Sequence, residues 1–348
     1  MTEQLMAHAA TSESRQQFQQ LQVRYQPGTA SLWYYMKSRP RPCFTITLLG
    51  EIAQFQQQVR QRDGAAEDGR QVDFLVLTSA IPGIFNLGGD LELFKQLIRN
   101  NDRDGLVHYA YLCINVLYQN VINLDLPLTT IAMVKGSALG GGLEAALSCD
   151  VIVAEKGVKL GFPEILFNLF PGMGAYSLLA RRLDPVRAEK LMLSGKLYDA
   201  EELYEMGLVD HLAEPGKGEE VAEEYMRRHN KYRNGYRGIL RAREKYYPIG
   251  YTELKEITDI WVETALTLTE KDIRMMDRLV RSQERLYHNF AETVRTHGAG
   301  KSEPELAESE SVPSISNFFR IREPYLHSVT VKPEQDVRNE DGPDEQIV

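Results

Sequence analysis

The stretch TTIAMVKGSALGGGLEAALSCDVIVAE, residues 129–155, decides how the chain is read. It opens on a β-branched, apolar run, breaks at Gly140, Gly141 and Gly142, turns into the helix-forming LEAALS, and ends on a second strand-like run, DVIVAE. Glycines at a strand-to-helix junction let a ligand approach the backbone, and the first amides of a helix have no partner inside it. Such N–H groups, aided by the helix dipole, stabilise negative charge on an oxygen. Taken alone, three glycines are better explained by a tight turn.

The same punctuation recurs on the N-terminal side. IFNLGGD, residues 84–90, separates the strand-like VDFLVLTS from the helical LELFKQLIRN, with Asp90 placed to cap the helix. On the C-terminal side, GFPEILFNLFPGMG, residues 161–174, sets Glu164 among apolar neighbours, where desolvation raises a carboxyl pKa toward neutrality. A capped helix start and an exposed loop glutamate are the plain readings of each feature by itself. Together with Glu144 they describe more. Proton transfer next to a thioester carbonyl develops enolate charge, so it needs backbone donors at the oxygen and carboxyls at the α and β carbons.

Competing chemistries lack their residues. GGGLE has neither the Lys-Ser/Thr of a phosphate loop nor G-x-G-x-x-G spacing. The seven histidines are scattered and form no ligand pattern, so no metal and no other cofactor is expected. There is no G-x-S-x-G, which leaves Ser137 and Ser148 without a case as nucleophiles.

Further out, LWYYM and CFTITLL read as strands, and EIAQFQQQVRQ and VHYAYLCINVLYQNVINL as helices. Helical text dominates from Pro185 to about Leu212 and again from Glu219, with Ile257, Ile260, Trp261, Ala265, Leu266, Ile273, Met276, Leu279 and Val280 at helical spacing. Alternating patterns of this kind predict an α/β fold. The expected organisation is a flexible arm over 1–28, a core over 29–215, a helical and oligomerisation region over 216–290, and an acidic, disordered tail over 291–348.

Composition narrows the partners. Of 348 residues 43% are hydrophobic and 26% charged, which is ordinary globular usage, and a net charge of -9 argues against nucleic acid. Cys43, Cys113 and Cys149 lack paired spacing and read as reduced core thiols. The absence of a secretory pattern or an apolar run of membrane length predicts a cytoplasmic protein without membrane insertion.

KGSALGGGLEAALSCDVIVAE followed by LGFPEILFNLFPGMGAYSLL resembles the signature region of the crotonase, or enoyl-CoA hydratase/isomerase, superfamily. The resemblance implies a spiral of ββα units completed by C-terminal helices, and a homotrimer or dimer of trimers. It implies an oxyanion hole from the amides of Gly89 and Gly141 and an acid/base pair in Glu144 and Glu164, with Asp90 structural. An acyl tail would then lie along Leu87, Gly88, Leu143, Phe162, Ile165, Phe167, Met173 and Tyr176. FNLGGDLELFKQLIR, ALGGGLEAALSCD, AEKLMLSGKLYDAEELYEMGLVDH and ITDIWVETAL are similar to the bacterial diffusible-signal-factor synthases within that superfamily. That likeness implies dehydration of 3-hydroxyacyl groups on acyl carrier protein, thioester hydrolysis releasing a cis-2-unsaturated quorum signal, and association with a sensor kinase. An ordinary enoyl-CoA hydratase acting on a CoA-linked substrate shares every one of these site residues. A signalling-protein binding partner with a vestigial pocket is the reading from another class.

Overall fold

A computed structural model of the chain describes residues 18–297, with side chains described through Arg281 and at Glu284 and Tyr287. The strands are β1 (Leu21–Gln26), β2 (Ser31–Met36), β3 (Phe74–Ser79), β4 (Gly83–Asn86), β5 (Thr129–Val134), β6 (Gly136–Leu139), β7 (Val151–Glu155), β8 (Lys159–Gly161), β9 (Leu197–Asp199) and β10 (His211–Ala213). The helices of the first half are α1 (Ile46–Gln61), α2 (Leu91–Arg99), α3 (Arg103–Val121) and α4 (Gly141–Leu147). Those of the second half are α5 (Ala175–Arg182), α6 (Pro185–Ser194), α7 (Ala200–Glu205), α8 (Gly218–Lys231), α9 (Arg233–Tyr246), α10 (Tyr251–Leu266) and α11 (Glu270–His297).

Two sheets share the strands. Six lie in the order β1-β2-β3-β5-β7-β10 and four in the order β4-β6-β8-β9. Only the β1–β2 and β8–β9 pairs are antiparallel. Three times the chain sends one strand through the larger sheet and the next through the smaller: β3 to β4, β5 to β6, β7 to β8. After β4 and β6 it leaves through glycines into a helix, which builds a spiral with the two glycine turns on neighbouring coils. The central parallel strands are buried on both faces, as continuous apolar runs such as FLVLTS and TTIAMV require.

Each face has its own filling. On one side Leu48, Ile52, Leu106, Ile114, Leu147 and Trp261 belong to one continuous core under α1, α3, α4 and α10. On the other, Trp33, Phe74, Val76, Ile131, Met133 and Val153 pack against Ala222 and Met226 of α8. Burying a side chain of this size contributes roughly 1.5–3 kcal/mol, so both layers are needed to offset chain entropy.

Several sequence expectations change here. Residues 21–26 are not part of a flexible arm: β1 pairs with β2 along its whole length, because Ser31–Met36 offers an open edge. Residues 1–17 of the arm and 298–348 of the tail lie outside the described residues, whereas residues 291–297, expected to be disordered, continue α11. CFTITLL is not a strand. The Thr45 side chain accepts from the Leu48 amide and starts α1 at Ile46, and the helical spacing of Leu48, Leu49, Ile52 and Phe55 overrides local β propensity. The text from Pro185 to Leu212 contains β9 and the start of β10 between its helices. The boundary at 215 is no structural break, since α8 covers one face of the large sheet. Ile260 points outward, 59% exposed, while Trp261 is buried. All three cysteines are free and buried. No helix among the described residues is long and apolar enough to cross a membrane.

Candidate active site

The two glycine turns meet. A side chain on Gly141 would bring its Cβ to 3.5 Å from the Gly89 nitrogen, so the loop after β4 and the start of α4 lie against each other. Gly141 is the first residue of α4, where an amide has no acceptor inside the helix. The neighbouring amides are used: Gly140 donates to the Gly161 carbonyl at 2.9 Å, and Gly88 to Oδ1 of Asn86 at 2.8 Å. Asp90 caps α2 through its Oδ1 and is paired with Arg41 at 2.7 Å, the structural part expected of it.

Glu144 stands in the first turns of α4 and is 1% exposed. Its Oε1 accepts the amides of Met173 and Ala175, both at 2.9 Å, so the loop Pro171–Gly174 clamps the carboxyl. Burial raises its pKa to about 7, against the lowering effect of those two hydrogen bonds. Glu164 opens the short 3-10 turn Glu164–Phe167. Its Oε2 is buried without a hydrogen-bond partner. Burial, and then the charge of Glu144, raise its pKa to about 8. A buried carboxylate oxygen without a donor favours the protonated form unless a ligand supplies the partner.

Both glutamates line one cavity of about 200 Å³, together with Gly88, Gly89, Gly140 and Gly141. Its remaining wall is apolar. Leu87, Phe167 and Met173 contribute to it, as the sequence suggests. Leu143, Phe162, Ile165 and Tyr176 do not. Leu143 and Phe162 point into the packed core, and Ile165 lies off the cavity on the 3-10 turn. Tyr176 is 36% exposed with its hydroxyl on Glu189.

Sequence reasoning missed most of the wall: Leu49 of α1, Cys113, Val116 and Leu117 of α3, Trp261 of α10 and Leu279 of α11. Their helical spacing marks them only as core. No group of His, Cys, Asp and Glu able to hold a metal occurs among the described residues. The arrangement can bind a carbonyl oxygen at two amides and place two carboxyls of near-neutral pKa on an apolar chain beside it.

A spiral of paired strands whose glycine turns converge beside buried carboxyls is the crotonase fold. The family model Enoyl-CoA hydratase/isomerase matches residues 55–271, and the chain belongs to that family. It is 32% identical over 158 residues to the mitochondrial methylglutaconyl-CoA hydratase of Rattus norvegicus, covering 45% of this chain and 48% of that protein. It is also 32% identical over 187 residues to the putative enoyl-CoA hydratase/isomerase YngF of Bacillus subtilis, covering 52% of this chain and 68% of that one. The match thus spans about half the length of the rat protein. Among solved structures, an enoyl-CoA hydratase from Bacillus halodurans shares the fold at a TM-score of 0.62 and 19% identity, over 74% of this chain and 99% of that one.

Proposed function

We propose that the chain interconverts 3-hydroxyacyl and 2-enoyl thioesters by removing or adding water across C2 and C3. The observation that carries this reading is that Glu144, Glu164 and the adjacent turns of Gly89 and Gly141 all open on one apolar cavity. In the dehydrating direction, one carboxylate takes the C2 proton while the Gly89 and Gly141 amides hold the charge arriving on the thioester oxygen. The partner carboxylic acid protonates the C3 hydroxyl, the C–O bond breaks and water leaves. The pair ends with its protonation exchanged and resets through solvent. Raised pKa values of about 7 and about 8 suit such a pair, because one member can be ionised while the other is not.

The likeness of residues 85–99, 138–150, 188–211 and 257–266 to diffusible-signal-factor synthases supports a finer reading. On that reading the substrate is a 3-hydroxyacyl carrier protein, and the same polarised carbonyl is next attacked by water, splitting the thioester into a free cis-2-enoic acid and the carrier thiol. The names of the curated relatives favour CoA-linked substrates and hydratase or isomerase chemistry without thioester hydrolysis. A sensor-kinase partner belongs with the finer reading, and a homotrimer or dimer of trimers with the crotonase resemblance as a whole.

The test is incubation of the full chain with medium-chain 3-hydroxyacyl-CoA and 3-hydroxyacyl carrier protein, with products identified by mass spectrometry. Enoyl thioester alone supports the hydratase reading, and free cis-2-enoic acid the signal synthase. Glu144→Ala and Glu164→Ala should each lower turnover by about 10²-fold to 10⁴-fold. Unchanged turnover in either variant removes that residue from the mechanism.

A further inference from the structure

The loop from Asn86 to Asp90 has four successive amides after Asn86, and three of them are occupied. Leu87 donates to the Pro42 carbonyl at 2.8 Å, Gly88 to Oδ1 of Asn86 at 2.8 Å, and Asp90 to the hydroxyl of Tyr109 at 3.0 Å. The Gly89 amide donates to no group among the described residues. Tyr109 sits on α3 and is fully buried. Its hydroxyl donates to the Phe44 carbonyl at 2.5 Å while accepting from Asp90, so both of its bonding capacities are used.

The placement of that hydroxyl is informative. Phe44 and Gly89 form an isolated parallel bridge, in which the Phe44 amide donates to the Gly88 carbonyl at 2.8 Å. The bridge is completed on its other side through Tyr109, which holds Asp90 N–H and Phe44 C=O at the two ends of one hydroxyl. The ring is fixed in turn by Phe94, 5.0 Å away and edge-on, whose own ring edge lies where a Gly89 Cβ would stand. The Gly88–Gly89 peptide plane that carries the Gly89 N–H is held at its carbonyl by the Phe44 amide, and the planes before and after it by Asn86 and Tyr109, so it cannot rotate without straining these hydrogen bonds.

We propose that Tyr109 is a positioning residue for carbonyl polarisation, with Asn86 as its counterpart on the other flank: together they select the Gly89 amide as the loop's one free donor. This rests on the thioester reading above. Neither side chain touches the reacting atoms. Both act through the orientation of a backbone donor, where a displacement of about 1 Å can cost on the order of 100-fold in rate.

The readout is the absorbance of para-dimethylaminocinnamoyl-CoA bound to the full-length chain, whose band moves to longer wavelength as its thioester carbonyl is polarised. Tyr109→Phe should bind this probe within about 3-fold of the parent, yet lose most of the red shift and lower kcat about 10-fold to 100-fold with KM little changed. A purely structural role would instead reduce the folded fraction and leave the shift per bound probe intact. Parent-like shift and kcat in Tyr109→Phe overturn the proposal. Should that variant not fold, Asn86→Ala and Asn86→Ser decide: loss in Ala with recovery in Ser, which can still accept the Gly88 amide, upholds it, and a parent-like Ala overturns it. Absence of any shift in the parent chain sinks the thioester reading and this inference with it, whereas a shift retained in all three variants sinks this inference alone.

Discussion

Oε1 of Glu164 lies 2.2 Å from the point where a side chain on Gly140 would place its Cβ. Gly140 also has φ of +53°, a conformation that L side chains rarely adopt. The carboxyl therefore occupies space that only glycine leaves open, on the residue that leads into α4.

Gly140→Ala should therefore remove activity and cost stability together. Strain at positive φ contributes about 1–3 kcal/mol, and displacement of Glu164 should lower turnover at least about 100-fold. Chemical denaturation and steady-state rates check both. A variant with parent-like rates would show that the position of Glu164 is not critical.

Glu144 and Glu164 destabilise the folded chain as the pH rises. Their pKa values are raised from 4.5 to about 7 and about 8, so between roughly pH 4.5 and 8 the folded state holds more protons than the unfolded one. The sign of the slope is then negative, with stability greatest at the acid end of that window. Glu144→Gln removes one such group, and at pH 8 should stabilise by up to on the order of 3 kcal/mol, with the gain falling below about 1 kcal/mol near pH 5. Thermal melts of parent and variant at the two pH values measure it.

Rate should follow the same pair. With one carboxyl required ionised and the other protonated, kcat/KM should peak between about pH 7 and 8 and fall on both sides. A profile flat from pH 5 to 9 would separate the chemistry from these two groups.

Leu117 of α3 borders the cavity and is 5% exposed. Leu117→Phe should shorten the space for an acyl tail. Rates on a dodecanoyl-length thioester should drop about 10-fold or more relative to a butanoyl one, at about 1–3 kcal/mol of stability from overpacking. Equal losses on both substrates would mean the tail does not run toward α3.

Much of the site was legible in the sequence because its carriers are local. Strand, glycine turn and helix follow one another within residues 129–147, and GFPE sits a few residues beyond the next strand. Short-range periodicity and φ-permissive glycines marked the two glycine turns and the two glutamates, and the crotonase resemblance assigned Gly89, Gly141, Glu144 and Glu164 their candidate roles. What the chain reads wrongly on its own are elements whose local and global preferences disagree. Residues 43–49 have β-branched text, but the core needs Leu48 and Leu49 on a helix face. Residues 21–26 alternate Leu21, Val23 and Tyr25 with polar residues, a short strand pattern hidden by the Gln-rich text before it and stabilised by the open edge of β2.

Tertiary structure alone decided the rest. Tyr109 and Trp261 carry no mark in sequence that separates them from ordinary core, since a buried aromatic on an amphipathic helix looks the same whether it meets a loop amide or a neighbouring leucine. The raised pKa values have the same origin: a glutamate's water is removed by residues far away in the chain, here those of α3 and α10 that line the cavity with both carboxyls, and this outweighs the lowering effect of the Met173 and Ala175 amides on Glu144. Sequence determines which groups can do chemistry through local backbone preference. Which are desolvated, aimed and left without a partner depends on contacts between distant segments, which only the folded chain makes.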